Sequence, residues 1–419
     1  MNEKYEKAKQ LTAEFGQEHL LAFYEELTAE EQESLLEQIL SIDFPLVKSL
    51  YEHAKAEEAG QVEIKGEITP IGCTEKAAIP AEQLQQYEQA GRQAMVEGKF
   101  AAVTMAGGQG TRLGHNGPKG TYDIGLPSHM SLFEIQCMRL KKKKEDLGVN
   151  IPWYIMTSKE NDGATRAFFE EHDYFGYDKD SVMFFVQCML PMIHKEDGRI
   201  VLCEKGKIKE GADGHGGIFT AMIKSGVAAD MKKRGIQWIF VGGIDNVLVR
   251  LSDPMFIGFM EASGKMIGGK SLIKRDPYEK AGVFCKRDGK PYVIEYTEIS
   301  DEMAKLTDEN GQWVYGDAHI LCNMFNVRVF DIMGDKGLPY HTAVKKAAYI
   351  DTNGDIITPE TPNAYKFEAF IFDAFNFFDD MAILRIKREE EFAPVKNKKG
   401  EDSPETARAL FQACGEEIY

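Results

Sequence analysis

The chain has 419 residues, 43% of them apolar, and 50 Lys and Arg against 67 Asp and Glu give a formal net charge of −17. That is enough apolar sequence for one large domain with additions, or for two or three smaller ones. So negative a field excludes nucleic acid and anionic membrane surfaces as long-range partners, while a local basic cleft still admits small phosphorylated ligands.

The first residues, MNEKYEKAKQ, contain no apolar run, so no secretory signal is expected there. Seven cysteines stand at 73, 137, 188, 203, 285, 322 and 414, with no C-x-x-C pair. An odd, scattered set argues against a zinc ribbon and fits free thiols in a reducing compartment. The most apolar stretch, residues 182–193, is too short for a bilayer, which takes about 20 residues. Together these features predict a cytoplasmic enzyme.

In chain order, residues 1–95 read as a helical region packed on the core. Leu11, Phe15, Leu20, Phe23, Tyr24 and Leu27 recur mostly at helical steps, and Thr28 to Glu31 has capping-box spacing ahead of Leu35, Leu36, Ile39 and Leu40. A further helix is expected over 84–97. The pattern then changes. Short apolar runs at 101–105, 153–156, 182–185 and 238–241 alternate with amphipathic stretches at 132–140 and 218–234. This alternation predicts an α/β fold with a mixed, mostly parallel central sheet. Residues 282–299 alternate like antiparallel strands around Arg287-Asp-Gly-Lys290. The expected organisation is a helical region over 1–95, a catalytic domain over 96–390 and a short C-terminal segment over 391–419.

The most informative stretch is Met105-Ala-Gly-Gly-Gln-Gly-Thr-Arg-Leu-Gly114, followed by Pro118-Lys119-Gly120. It begins where a strand should end, and ligands of open α/β sheets bind beyond the carboxyl ends of strands. Gly107, Gly108 and Gly110 let backbone N–H groups close around phosphate oxygens. Arg112 and Lys119 bring positive charge. The glycines do not follow G-x-G-x-x-G, so a dinucleotide fingerprint is not met. Residues 264–271, GKMIGGKS, match the Walker A pattern literally. A P-loop must follow a strand and open a helix, whereas here a helical stretch precedes and apolar Leu272-Ile273 follows. The match is read as a turn into a strand. A kinase built on Lys270 would lose activity in Lys270→Ala, a change otherwise expected to do little.

Other polar residues admit two roles when read singly. Asp245, after the strand at 239–241, caps a helix as readily as it binds a metal. Gln187 in an apolar run suits a satisfied core amide. Lys366 and Lys396 suit a solvated surface, Glu295 the exposed face of a strand, and His215 a loop without a task.

The separated blocks AGGQGTRLG with PKGTYDIGLPS (106–128), IPWYIMTS (151–158), FFVQCMLP (184–191), DGHGG (213–217), IDNVLVRLSDPMFIGF (244–259), VIEYTEIS (293–300), PNAYKFEAFIFD (362–373) and FAPVKN (392–397) resemble eukaryotic-type UDP-N-acetylhexosamine pyrophosphorylases, a branch of the UDP-sugar pyrophosphorylase family. The resemblance runs from about 20 to 408. It implies a nucleotide-diphospho-sugar transferase fold. The implied activity joins UTP to an N-acetylhexosamine 1-phosphate, giving UDP-GlcNAc or UDP-GalNAc and pyrophosphate. It also implies that Gly107, Gly108, Gly110 and Thr111 hold the nucleotide, that Gln187 reads the uracil edge, and that Gly214 and His215 contact the nucleoside. Arg112, Lys119 and Lys396 would face the phosphates, with Lys366 on the sugar phosphate and Asn323 beside it. Glu295 and Tyr296 would line the sugar pocket, and Asp245 would bind Mg²⁺ or Mn²⁺.

The chemistry accounts for these residue types. The attacking sugar-phosphate oxygen is already anionic, so no general base is needed and none is evident. The difficulty is gathering anions, which calls for cations, backbone N–H groups and a divalent metal. One Asp suffices for Mg²⁺, which keeps its waters and takes phosphate oxygens. Departures from the family pattern concern the acceptor. His215 replaces the usual Asn, as in UDP-glucose pyrophosphorylases; Cys188 and Val186 flank Gln187; and 316–323 differs in its first half. The family's usual small C-terminal domain is expected to be lacking. UTP–glucose or galactose-1-phosphate uridylyl transfer is therefore the nearest alternative, and a non-catalytic UDP-sugar-binding protein the more distant one.

Overall fold

The computed structural model describes residues 3–60, 66–334 and 337–415. Residues 61–65 of the expected helical region and 416–419 of the expected C-terminal segment lie outside them. The chain forms two compact units that do not follow chain order. One comprises Met1–Lys65, Cys188–Gly217 and Leu338–Phe370, and the other Gly66–Gln187, Ile218–Gly337 and Ile371–Tyr419.

In the first unit, helices Glu3–Glu14, Ala29–Ser41 and Phe44–Glu58 realise the helical reading of the N-terminal sequence. Thr28 caps the second of them: its side chain accepts the Glu31 N–H, and the Glu31 carboxylate returns a bond to the Thr28 N–H at 2.8 Å. The apolar faces of these helices (Ala8, Leu35, Leu36, Ile39, Phe44, Val47 and Leu50) do not make a core by themselves. They share one with Ile193, Ile200, Leu202, Ile208, Tyr365 and Phe367, supplied by two segments distant in sequence. A three-stranded antiparallel sheet, ordered His341–Lys345, Ala364–Glu368, Ile193–His194, carries several of these residues.

The second unit is the α/β part. Its eleven-stranded sheet has a main path ordered Thr74–Glu75, Ala382–Arg385, Ile267–Ile273, Asp317–Asn326, Trp238–Gly243, Phe100–Met105, Trp153–Thr157, Val182–Val186. Every neighbouring pair is parallel except the two made by Asp317–Asn326. The expectation of a mixed, mostly parallel sheet is thus met, with one reversed strand at its centre. Strands Phe100–Met105, Trp153–Thr157 and Trp238–Gly243 are buried along their whole length, as strands covered on both faces must be. Helix Leu132–Leu147 covers one face with Leu132, Phe133, Ile135, Cys137 and Leu140, and Ser131 caps it by accepting the Glu134 N–H. Each such fully buried large side chain contributes about 1.5–3 kcal/mol.

Helix Ala81–Val96, the one expected over 84–97, belongs to this unit and crosses helix Pro254–Ser263 at backbone contact. A Cβ on Gly91 would stand 1.8 Å from the Pro254 carbonyl oxygen, and one on Gly258 would stand 1.9 Å from that of Tyr87. The hairpin expected around 287–290 pairs Val283–Arg287 with Lys290–Ile294. Asp288 and Gly289 turn it at positive φ, 51° and 79°, as a two-residue hairpin loop demands.

The Walker-like stretch resolves as a turn into a strand. Helix Pro254–Ser263 ends at Gly264 in the left-handed region, and strand Ile267–Ile273 follows. Lys270 therefore lies within the sheet. Its side chain is 1% exposed and paired with Asp253 at 2.6 Å and with the buried Glu391. Burial opposes its charge, but the two carboxylates outweigh that and hold the ammonium protonated above the ordinary lysine range. Lys270 thus serves the fold and not a phosphate loop. Removing the cation strands two buried carboxylates, so Lys270→Ala should lower the unfolding free energy by about 3–5 kcal/mol. Urea unfolding of the variant beside the unaltered protein measures it.

Candidate active site

Four parallel strands finish in one row, because their registers pair Gly243 with Met105, Met105 with Met156, and Thr157 with Val186. The residues that come next in the chain are therefore neighbours in space: Ala106 to Gly110, Ser158, Gln187 and Asp245. A doubly covered sheet binds ligands at such an edge.

The glycine loop is held from below and behind. The Ala106 N–H donates to the Met156 carbonyl at 2.8 Å, the Gly110 N–H to Gly117 at 2.9 Å and the Lys119 N–H to Gly108 at 3.0 Å. Fully buried Asn161 completes the support. Its amide donates to the Ala106 carbonyl at 2.9 Å and the Gly108 carbonyl at 3.3 Å, while its oxygen accepts the Ser158 N–H at 2.8 Å. Sequence reasoning missed Asn161. Its signal was an Asn just after the apolar run 153–156, where a side chain can hydrogen-bond backbone.

The three glycines differ in why they are glycine. A Cβ on Gly107 would stand 3.0 Å from Gln187 Oε1, and one on Gly110 would stand 2.7 Å from the His115 side chain. Gly110 is required by packing within the protein, and Gly107 lets Gln187 come close. Gly108 would meet nothing within 4 Å, so its bare backbone faces open space. Thr111 and Arg112 follow on an exposed one-turn helix, Thr111–Leu113. Gln187 is buried and its N–H donates to the Thr157 carbonyl at 2.9 Å. The structure thus brings Gln187 to the loop.

Lys119 Nζ lies 3.8 Å from Asp245 Oδ2, with the lysine side chain 16% and the aspartate 30% exposed. Burial pulls the Lys119 ammonium below the ordinary lysine range; Asp245 offsets part of this, and Lys396 and Arg112 push it further down. Lys396 and Arg112 are therefore near enough to Lys119 to act on its charge. Lys396 reaches it because its segment is laced to the one bearing Asp245. The Val395 N–H donates to the Asp245 carbonyl at 2.8 Å and the Val247 N–H to Ala393 at 3.1 Å. Asn246 clasps the same segment, donating to the Glu391 carbonyl at 2.8 Å and accepting the Ala393 N–H at 2.8 Å.

Asn323 lies on the reversed strand, opposite Val241. It is wholly buried and its oxygen sits 3.1 Å from His319 Nε2. Its Nδ2 has no partner among the described residues, a donor held in reserve at the centre of the sheet. Leu321 beside it takes φ of 55°, a strained conformation that kinks the strand there. Glu295 and Tyr296 follow Lys290–Ile294 on the hairpin limb, which joins the main path through Val283 and Ala318; Tyr296 is exposed.

The remaining candidates belong to the other unit. Gly214 takes φ of +83°, and a Cβ there would stand 2.3 Å from the Ala369 carbonyl oxygen. The Gly216 N–H donates to that carbonyl at 2.8 Å and the Ala369 N–H to Asp213 at 2.7 Å, which fixes D-G-H-G-G against 368–370. His215 lies 5.3 Å from the Phe370 ring. Lys366 pairs with Glu368 at 2.7 Å.

Asp245 stands 3.8 Å from Lys119, and Lys396 also pairs with Asp402 at 3.9 Å, so Asp245 is the carboxylate left to a phosphate-bound divalent ion. Among the described residues no group of three or more His, Cys, Asp or Glu could hold a metal. A hard ion with few protein oxygens and several waters or phosphate oxygens is the behaviour of Mg²⁺.

The depressed Lys119 value has a sign that can be checked. A lysine that binds its proton less tightly when folded adds stability above its unfolded value, and that stability is lost as pH falls through the folded value. Pulse acylation read by peptide mass spectrometry should find the Lys119 reactivity midpoint below the ordinary lysine value. Lys396→Met should move the midpoint up, and Asp245→Asn should move it down.

Three comparisons bear on this site. A family model described as UTP–glucose-1-phosphate uridylyltransferase matches residues 46–402. The chain is 37% identical to the UDP-N-acetylglucosamine pyrophosphorylase of Saccharomyces cerevisiae, over 97% of this chain and 89% of that one. It is 37% identical to UDP-N-acetylhexosamine pyrophosphorylase-like protein 1 of Homo sapiens, over 94% of this chain and 81% of that one. Among solved structures it is similar to the uridine diphosphate N-acetylglucosamine pyrophosphorylase of Trypanosoma brucei, with TM-score 0.86 and 29% identity over 99% of this chain and 85% of that one. With the family model spanning most of its length, the chain belongs to the UTP–glucose-1-phosphate uridylyltransferase family.

Proposed function

We propose that the protein is a UTP:N-acetylhexosamine-1-phosphate uridylyltransferase, forming UDP-GlcNAc or UDP-GalNAc and pyrophosphate. The observation that carries the reading is the grouping of Lys119, Arg112 and Lys396 with Asp245 beside a glycine loop whose Gly108 backbone faces open space. An oxygen of the sugar 1-phosphate attacks the α-phosphorus of UTP in line; the new P–O bond forms as the bond to the β-phosphate oxygen breaks, and pyrophosphate leaves. Lys119, Arg112 and Lys396 neutralise the phosphates, and the fixed loop N–H groups bind them without reorganising. Gln187 and Thr111 join the loop in holding the nucleotide, and Asn323, Glu295 and Tyr296 take the sugar phosphate. Asp245 would hold Mg²⁺ or Mn²⁺, which supplies further charge neutralisation.

The choice of an N-acetylated acceptor rests on the names of the relatives that match nearly the whole chain. His215 is the feature that favours glucose or galactose 1-phosphate instead. All seven cysteines are free and no described helix is long and apolar enough to cross a membrane. Both features suit the cytoplasmic location proposed here.

Pyrophosphate release from UTP and Mg²⁺ with GlcNAc, GalNAc, glucose and galactose 1-phosphates should be fastest with an N-acetylated sugar. Release with glucose or galactose 1-phosphate alone overturns the substrate assignment. Lys119→Ala should lower kcat by roughly 100- to 1,000-fold. A fully active Lys119→Ala protein overturns the phosphate-loop reading.

A further inference from the structure

Lys270 takes no part in the chemistry above, yet it is the point where the two segments carrying Asp245 and Lys396 are tied together. Further along the first segment, Asp253 caps helix Pro254–Ser263 by accepting the Met255 N–H at 3.2 Å, and its other oxygen accepts from Lys270 Nζ at 2.6 Å. Glu391 begins the second segment, and its carboxylate accepts from the same Nζ. The Glu391 backbone carbonyl in turn accepts from Asn246, the residue after Asp245. Lys76 approaches Glu391 from outside at 3.6 Å, and the Phe256 ring lies 5.1 Å from Lys270 Nζ. Beyond this knot the segments run side by side to the Val395–Asp245 hydrogen bond.

Two carboxylates in an apolar interior repel each other and cannot both stay ionised without a cation between them. The buried ammonium removes that repulsion, and the ladder between 245–248 and 391–395 starts from the place where it does so. From this arrangement we infer that Lys270 is a positioning residue for uridylyl transfer: by clamping Asp253 to Glu391 it sets how Asp245 and Lys396 stand relative to each other. The inference rests on the proposed roles of Asp245 and Lys396.

The test uses the whole chain and Mn²⁺ with UTP, with binding read by electron paramagnetic resonance at a temperature where circular dichroism shows each variant folded. Lys270→Met removes the cation. Glu391→Met breaks the clamp but leaves the Asp253–Lys270 pair, so it folds even where Lys270→Met does not. Asp245→Asn is the reference for loss of the metal ligand itself. Both clamp variants should bind Mn²⁺ roughly tenfold more weakly while still folded. Lowered melting temperature with unchanged Mn²⁺ binding in the clamp variants, beside weakened binding in Asp245→Asn, overturns the positioning role and leaves the Asp245 reading standing. Unchanged binding in Asp245→Asn as well overturns both.

Discussion

Hydrogen-bond register between four parallel strands is the constraint on which the rest depends. Because Gly243, Met105, Met156, Thr157 and Val186 are aligned, the glycine loop, Gln187 and Asp245 need no long-range search to meet. Each leaves its strand at the same level, and buried side chains on both faces fix that level. Side chains mounted on a rigid sheet edge are pre-positioned, which is what reactions governed by charge and distance require.

The site works against the protein's own field. A chain of net charge −17 gathers Lys119, Arg112 and Lys396 in one region, and the strain of doing so is visible in Lys119, whose proton is loosened by burial and by its two cationic neighbours. An anionic triphosphate relieves that strain, so the charges that oppose one another in the free protein become complementary to substrate. The same principle is inverted behind the site. There two carboxylates need Lys270, and the resulting knot is closed to solvent.

Much of this was legible in the sequence because it is local. The glycine loop, the capping box at Thr28, the hairpin turn at Asp288-Gly289 and the rejection of the Walker match at 264–271 all follow from residues within a few positions of one another. What was not legible depends on partners far apart. The N-terminal helices share a core with 188–217 and 338–370, and a helical period says nothing of what will cover it. The turn-into-strand reading of 264–271 gave Lys270 no partner, since Glu391 lies 121 positions away. A lysine inside a run that becomes a buried strand does imply acids to pair with it, and that was the available clue. Asn161 escaped for a similar reason: its acceptors are backbone carbonyls, which leave no pattern of side chains. Arg112 and Lys119 were legible as the charge of the glycine loop, whereas Lys396 and Asp245 were joined to them by resemblance, and the hydrogen bonds between 245–247 and 391–395 now give the approach of those two a physical cause.

In the proposed reaction the bond broken lies between the α- and β-phosphates of UTP, and the uridylyl group moves to a sugar phosphate. Radiolabelled UTP distinguishes this, in parallel reactions labelled at the α- or γ-phosphorus with N-acetylhexosamine 1-phosphate as acceptor. The α-label should appear only in the UDP-sugar and the γ-label only in pyrophosphate. Transfer of γ-label to the sugar phosphate, with UDP released, would contradict it.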